Sequence, residues 1–495
     1  MGRYILALDL GTTGNRAIVF DHSQKIVSQE YEEFRQIYPK PGWVEHDAEE
    51  IYRSVSHVLQ KTFKKIKSDS IAAIGITNQR ETVVLWDKKT GKPIHNAIVW
   101  QCRRTAPFCE SLKKKGLASL IHKKTGLFID AYFSASKITW LLDHVNGARV
   151  RAERGELLCG TIDSWIVWKL SGGRDHVTDS SNASRTMLFN LQTKKWDAVL
   201  CRLFRVPMKI LPRVVASSQV SSKLDKKLFG IELPIAGIIG DQQAASFAQG
   251  CVEHGVIKNT YGTGLFMLES TGDKPRYSKN LLTTVAWSIG DLSHTSYAVE
   301  GSVFIGGAAI QWLRDGLGLF KKASETKSMA ESLESNDGVY FVPALVGLGA
   351  PYWDPNARGT IVGITRGTKK EHLVRAALES IVYQSRDVME IMKKDTGRKF
   401  SRLRVDGGAS SNDFLMQFQA DILNIPVERP RVLETTALGA AGLAGIAVGF
   451  WKNEKEFNRL RVVERIFKPN PKFKHRDDLY KKWLEAVRRS RNWVQ

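Results

Sequence analysis

Tyr4-Ile5-Leu6-Ala7-Leu8-Asp9-Leu10-Gly11-Thr12-Thr13-Gly14-Asn15-Arg16-Ala17-Ile18-Val19-Phe20 opens the chain with two apolar runs on either side of a short polar turn. Each run has the length of a buried strand, so Tyr4 to Asp9 and Arg16 to Asp21 are expected to pair through the Gly11 to Gly14 turn. Lys25 to Phe34 reads as a third strand. The pattern returns at Val256 to Thr260, Tyr261-Gly262-Thr263-Gly264 and Leu265 to Glu269. An echo about 250 residues away suggests two related halves.

Between the hairpins the periodicity alternates. Ile51, Val55, Val58, Leu59 and Phe63 recur at helical spacing over Ala48 to Lys67, and Ile71 to Thr77 follows as a buried strand. Thr82 to Trp86 and Ala97 to Trp100 read as strands, and Thr105 to Lys115 as a helix. Such exchange defines an α/β architecture. At 495 residues the chain exceeds one ordinary core, and two domains are expected, 1–250 and 251–495, with a cleft between them. The charged tail ends in an amphipathic helix bearing Leu479, Trp483, Leu484 and Val487.

Composition narrows the function classes. The 73 Lys and Arg against 51 Asp and Glu give a formal charge of +22, which favours anionic partners. The excess is spread along the chain, and no basic strip interleaved with aromatics points to nucleic acid. Five cysteines, Cys102, Cys109, Cys159, Cys201 and Cys251, have no CxxC or zinc-ligand spacing, as in a reducing compartment. Thr436 to Trp451 is apolar but short and rich in Gly and Ala, a packed helix rather than a membrane span. No signal-peptide cleavage pattern precedes Tyr4, and a cytoplasmic location is expected.

The sequence contains no GxxxxGK[ST], no GxGxxG opening a helix, no HExxH and no GxSxG. A bound nucleotide would therefore need another cradle. The turn after Asp9, with Thr12, Thr13, Gly14 and Arg16, can be an ordinary polar hairpin. It can equally be an anion nest whose NH groups and hydroxyls meet phosphates while Asp9 orients hydrated Mg2+. Tyr261 to Gly264 has the same two readings.

Thr77-Asn78-Gln79-Arg80-Glu81 follows an apolar strand; Arg80 and Glu81 are either an exposed ion pair or a donor and acceptor matched to a polyol's hydroxyls. Trp100, before Gln101-Cys102-Arg103-Arg104, is either core or an apolar cover for a substrate's carbons. Asp241 in Gly240-Asp241-Gln242-Gln243 stands at a strand-to-helix junction, either as a helix N-cap or as a base near the strand ends where α/β proteins bind ligands. Val405-Asp406-Gly407-Gly408-Ala409-Ser410, with Asn412, floors a nucleoside or caps a helix. Gly306-Gly307, before Ala308 to Leu313, is equally open.

Taken together these residues resemble the glycerol-phosphorylating branch of the carbohydrate-kinase family, which shares the actin and hexokinase type of ATPase fold. The resemblance spans nearly the whole chain, through Pro39-Lys40-Pro41-Gly42-Trp43-Val44-Glu45-His46-Asp47, Ile98 to Arg104, Asn182-Ala183-Ser184-Arg185-Thr186 and Ala350-Pro351-Tyr352-Trp353. Tyr132-Phe133-Ser134-Ala135-Ser136-Lys137-Ile138-Thr139-Trp140 and Gly359 to Glu379 match the wider family's signatures.

It implies two related actin-like, ribonuclease H-like ATPase domains flanking a catalytic cleft. The activity implied is ATP-dependent phosphorylation of glycerol to sn-glycerol 3-phosphate with Mg2+, in a homo-oligomer (dimer or tetramer). By matching motif, Arg80, Glu81, Tyr132, Asp241 and Gln242 would bind the hydroxyls, Trp100 and Phe266 would lie against the carbons, and Asp241 would be the general base. Thr12, Thr13, Gly14, Arg16 and Thr263 would surround phosphates. Gly307, Gln311, Gly408 and Asn412 would line the nucleoside pocket, and Asp9 would help place Mg2+. Leu10 and Gly14-Asn15 depart from relatives that carry Gln and Ser-Ser there, which removes a side-chain donor. Ser221 to Leu233 lacks the glycine-rich loop by which some bacterial relatives bind fructose 1,6-bisphosphate. The tail after Lys472 gives no match to those relatives' regulatory docking segment.

Overall fold

The computed structural model describes residues 2–253 and 255–494. Its first large sheet has six strands in the order Ser218–Lys223, Pro234–Gly240, Ile71–Asn78, Tyr4–Leu10, Gly14–Phe20, Ile26–Glu33. The opening hairpin pairs antiparallel, while Tyr4–Leu10, Ile71–Asn78 and Pro234–Gly240 run parallel. Leu10 lies beside Asn78 and Asn78 beside Gly240, so the three strands end level. The chain leaving each strand therefore emerges at one edge, outside the carboxyl ends, where doubly wound sheets bind ligands.

The second sheet has seven strands, ordered Leu282–Ser288, Thr295–Val303, Leu265–Gly272, Val256–Tyr261, Arg402–Asp406, Val427–Pro430, Val463–Phe467. It repeats the plan of the first. Val256–Tyr261 pairs antiparallel with Leu265–Gly272 and parallel with Arg402–Asp406, and Thr260 lies beside Asp406. In each half a helix, Ala48–Lys65 or Lys370–Thr396, precedes the strand that joins the hairpin in parallel.

Asp47 caps Ala48–Lys65 by accepting from the amides of Glu49 and Glu50, while Ile51, Val55, Val58 and Leu59 are buried. The expected strand at Ala97 to Trp100 is shorter, Ala97–Ile98. The Val99 carbonyl accepts from the Cys102 amide and closes a turn, which leaves Trp100 outside the sheet.

One helix of the second half lies on the first sheet. Thr435–Ala447 packs across Tyr4–Leu10, Ile71–Asn78 and Pro234–Gly240, and against the helix Asp241–Ala248. The approach is backbone to backbone: a Cβ at Gly75 would stand 2.2 Å from the Ala440 carbonyl oxygen, and one at Gly439 would stand 1.9 Å from that of Ala244. Only glycine admits such contacts without displacing main chain. Ile5, Ala73, Ala244, Leu268, Ala440 and Trp451 share one apolar cluster, so core is continuous across the joint between the halves. Among the described residues no helix is long and apolar enough to cross a membrane.

Candidate active site

The three level strand ends deliver the segments singled out in the sequence to one place. Arg80 Nε lies 3.1 Å from Asp241 Oδ1, although 161 positions, from 80 to 241, separate them in the chain. Both Arg80 and Glu81 are buried, which removes the exposed-pair reading. Glu81 has φ +61°, an unusual backbone for a non-glycine residue and one that persists only where its surroundings fix it. Its surroundings do so: Arg185 Nε donates to Glu81 Oε1 at 2.7 Å, and the Ser134 hydroxyl donates to the Glu81 carbonyl at 3.2 Å.

Arg80 is held from several directions. Nη1 donates to Glu300 Oε2 at 2.6 Å and to Gln243 Oε1 at 3.1 Å, and Nη2 donates to Glu300 Oε1 at 3.1 Å. The Tyr132 hydroxyl lies 3.5 Å from Nη2. Burial acts against ionisation of Glu300, yet Arg185 and Arg80 outweigh it and hold that carboxyl down at about 2. Burial, aided by the Glu81 charge, pushes the Tyr132 phenol upward, so it is a neutral donor.

Asp241 is the first residue of its helix, whose N-cap is Gly240, so its carboxylate is not the cap. Oδ1 accepts from the Gln242 amide at 2.7 Å, and Oδ2 accepts from Gln242 Nε2 at 3.1 Å. Lys258 Nζ in turn donates to Gln242 Oε1 at 2.8 Å, fixing which end of that amide faces Asp241. The Asp241 side chain retains 29% exposure beside nearly sealed neighbours.

An aromatic wall flanks this group. Trp100 Nε1 donates to Thr12 Oγ1 at 3.0 Å, and its ring meets Tyr132 at 5.7 Å and Phe266 at 6.4 Å, both edge to face. Phe266 comes from the second sheet, and Arg80 lies 5.8 Å over its ring. Trp100 thus joins the first turn to the second half, as a half-buried residue packed at the edge of an apolar cluster mostly of the first half.

Both turns are bounded by short backbone bonds: the Gly11 amide donates to the Gly14 carbonyl, and the Gly262 amide to that of Gly264. Thr13 and Thr263 are exposed at their tips. Thr263 and Gly307 are adjacent, since Gly262 accepts from the Gly307 amide and Thr263 from those of Gly306 and Ala308. Gly307 begins the helix Gly307–Asp315, with Gln311 exposed on it. Gly408 is exposed in the turn before Asp413–Leu423. Asn412 caps that helix through Oδ1 to the Leu415 amide, and its Nδ2 donates to Thr326 Oγ1, so both ends of its amide are engaged within the protein.

Asp9 is buried, with Arg16 at 3.5 Å; Arg16 also reaches Glu434 at 3.7 Å. Burial pushes the Asp9 carboxyl up to about 7, Arg16 opposes it, and the carboxylates of Glu434 and Asp241 add to the rise. Among the described residues no three ligating side chains stand close enough to hold a bare ion; Asp9 alone is a buried carboxylate here, with the charges of Glu434 and Asp241 acting on it. A single carboxylate fits only an ion that keeps most of its waters, as Mg2+ does.

Arg185, Lys258, Glu300 and Glu434 were not assigned a role from the sequence, and Gln243 stood without one in the run quoted around Asp241. Lys258 and Glu300 had a faint signal, each a single charge within an otherwise uncharged strand, Val256–Tyr261 and Thr295–Val303. Arg185 lay inside a matched motif without a role, and Glu434 had no signal beyond preceding a helix.

The chain belongs to the FGGY family of carbohydrate kinases: the model of that family's N-terminal domain matches residues 4–248 and that of its C-terminal domain residues 257–448. Within the family it is similar to glycerol kinase 2 of Thermotoga maritima, 58% identical with 99% of each chain covered. It is equally 58% identical to a glycerol kinase of Caldanaerobacter subterraneus subsp. tengcongensis over all of both chains. The fold is similar to the crystal structure of Plasmodium falciparum glycerol kinase with ADP, at TM-score 0.92 and 36% identity, covering 99% of this chain and 98% of that one.

Proposed function

We propose that the protein phosphorylates glycerol with ATP, giving ADP, sn-glycerol 3-phosphate and a proton. The observation that carries this reading is the 3.1 Å approach of Arg80 to Asp241 at the level strand ends, with Glu81 held beside them by Arg185. A small polyol needs adjacent donors and acceptors, and this group offers both. Arg80 and the neutral Tyr132 hydroxyl donate, Glu81 accepts, Gln242 does either, and Trp100 and Phe266 cover the carbons. The full-length similarity to glycerol kinases supports the same acceptor.

In the reaction the terminal hydroxyl oxygen forms a bond to the γ-phosphorus in line with the breaking bond to the β,γ-bridging oxygen. Asp241 takes the hydroxyl proton, which becomes acidic as the new bond forms, and passes it to water. Its part exposure gives that proton a way out. The NH groups of the turns at Thr12 to Gly14 and at Thr263, with the Arg16 guanidinium, face the phosphates, while Gly307, Gln311, Gly408 and Asn412 line the nucleoside side. Residues 1–250 supply most of the acceptor site and 251–495 the nucleotide site. Asp9, with Asp241 and Glu434 near it, would hold a hydrated Mg2+, which when bound neutralises charge on the phosphates. Burial of the acceptor group excludes water, which limits ATP hydrolysis without acceptor. We place the enzyme in the cytoplasm as a homo-oligomer, a reading supported by five free and buried cysteines as regards compartment.

The test is ADP release across glycerol, dihydroxyacetone, glyceraldehyde and a pentulose. The largest kcat/KM is expected for glycerol. A larger value for the pentulose would move the chain to another acceptor, and nucleotide binding without acceptor-dependent turnover would make it a switch.

A further inference from the structure

Arg80, Glu300, Arg185 and Glu81 form a buried chain of alternating charge, Glu81 to Arg185 at 2.7 Å, Arg185 to Glu300 at 3.0 Å and Glu300 to Arg80 at 2.6 Å. Arg80 returns to Glu81 at 3.9 Å, which closes a ring. All four side chains are at most 2% exposed. Two guanidinium and two carboxylate groups balance, which is the condition under which buried charges persist. Three members come from the first half of the chain, but Glu300 projects from Thr295–Val303 in the second sheet.

We propose that Glu300 is a positioning residue for the acceptor site, supplied by the opposite lobe, which holds Arg80 and, through Arg185, Glu81 in the geometry that receives the polyol. Glu300 takes both terminal nitrogens of Arg80, leaving Nε for Asp241. A carboxylate that meets guanidinium in a fork is held in orientation as well as in charge. Without it Arg80 turns its terminal nitrogens on Asp241, the only other carboxylate within 3.5 Å of it among the described residues, and clamps the base away from the acceptor hydroxyl. Arg185 simultaneously loses the partner of Nη2; its Nη1 is already buried without a partner, so it cannot hold Glu81 as before. The lobe bearing the nucleotide side therefore also sets the acceptor side, so acceptor groups are ordered only when the two lobes are apposed.

The inference rests on the proposed polyol reading, and the unmodified enzyme is assayed first on the acceptor panel so that the two fail separately. If another acceptor is preferred, the variants are assayed with that acceptor. If none is turned over, binding of glycerol by calorimetry is the readout. Glu300→Gln should lower kcat/KM for the acceptor about a hundredfold or more, with kcat lowered and KM raised. Its dissociation constant for ADP should stay within about threefold of the parent's, since the ring does not touch the nucleotide side. Glu300→Asp keeps the charge and should recover at least about tenfold of the loss. A merely structural role would instead weaken ADP binding in step or give no recovery with Asp. Because one unbalanced buried charge can prevent folding, the charge-balanced pair Glu300→Gln with Arg185→Gln is the second variant, also expected to lose acceptor kcat/KM while binding ADP. Acceptor kcat/KM within about threefold of the parent in either variant overturns the proposal.

Discussion

Replacing Asp241 by Asn separates its chemistry from its place in the fold. The carboxylate accepts one bond at Oδ1, from the Gln242 amide at 2.7 Å, and one at Oδ2, from Gln242 Nε2 at 3.1 Å, and it forms an ion pair with Arg80, Nε to Oδ1 at 3.1 Å. An asparagine oxygen at the Oδ1 position keeps the bond from the Gln242 amide and loses the charge that pairs with Arg80. Its NH2 would meet the Gln242 NH2, and that amide cannot turn over, because Lys258 holds its oxygen at 2.8 Å. The losses are one hydrogen bond and the ion pair with Arg80, whose charge Glu300 still balances, on a side chain 29% exposed; together they are worth about 1–3 kcal/mol, so the fold survives with a melting shift of a few degrees. The loss of a general base is larger: about 10²–10⁴ in rate, or roughly 3–5 kcal/mol of barrier. With saturating ATP and glycerol, coupled ADP release should report that fall in kcat, while calorimetry finds glycerol affinity within about tenfold of the parent. A folded Asp241→Asn enzyme with kcat within about threefold of the parent would refute the reasoning.

Gly439→Ala places a Cβ 1.9 Å from a main-chain oxygen at the joint of the two halves, and chemical denaturation should show a loss of about 3 kcal/mol or more, where an unchanged midpoint would mean the helices can separate freely. Asp387 is buried beneath Tyr480 and Trp483, which donate to it at 2.6 and 2.9 Å; burial lifts its carboxyl to about 7 against those bonds. A raised folded value means stability is full below the unfolded value near 3.9 and is lost as pH rises through about 7. Asp387→Asn should accordingly gain on the parent between about pH 4 and 7 and then level off, by at most roughly 4 kcal/mol, and a parallel pair of stability curves would contradict this. Asp9→Asn should raise the Mg2+ concentration needed for half-maximal rate by about tenfold, yet leave glycerol binding by calorimetry unchanged; an unaltered Mg2+ requirement would remove Asp9 from the ion's site. Trp483→Ala, which empties a fully buried position on the inner face of the C-terminal helix Arg476–Ser490, should cost about 3–5 kcal/mol of stability in a thermal melt.

Much of the fold was legible because its signals are local. Tyr4 to Phe20 carries two apolar runs and a glycine turn, and both its pairing and its echo at Val256–Tyr261 and Leu265–Gly272 follow from residues a few positions apart. Trp100 was harder. The apolar run before it reads on as strand, and only the Cys102 amide bonding back to the Val99 carbonyl shows that the chain has already turned. Asp241 could be taken as a cap or a base from its place before a helix. The Gly240 cap removes the first reading, and the distance to Arg80 supports the second, which stands as the proposal above.

Residue type and short-range spacing determined by themselves that this is a two-part α/β chain with a repeated hairpin, and matching motifs brought its family and acceptor chemistry into view. Tertiary structure alone decided that Glu300 meets Arg80 and Arg185, that Lys258 orients Gln242, and that Thr435–Ala447 lies on the first sheet. The physical reason is that charge balance and close packing depend on which surfaces face each other in space. A single acid in the uncharged strand Thr295–Val303 has no meaning in sequence until the opposite lobe presents two guanidinium groups to it.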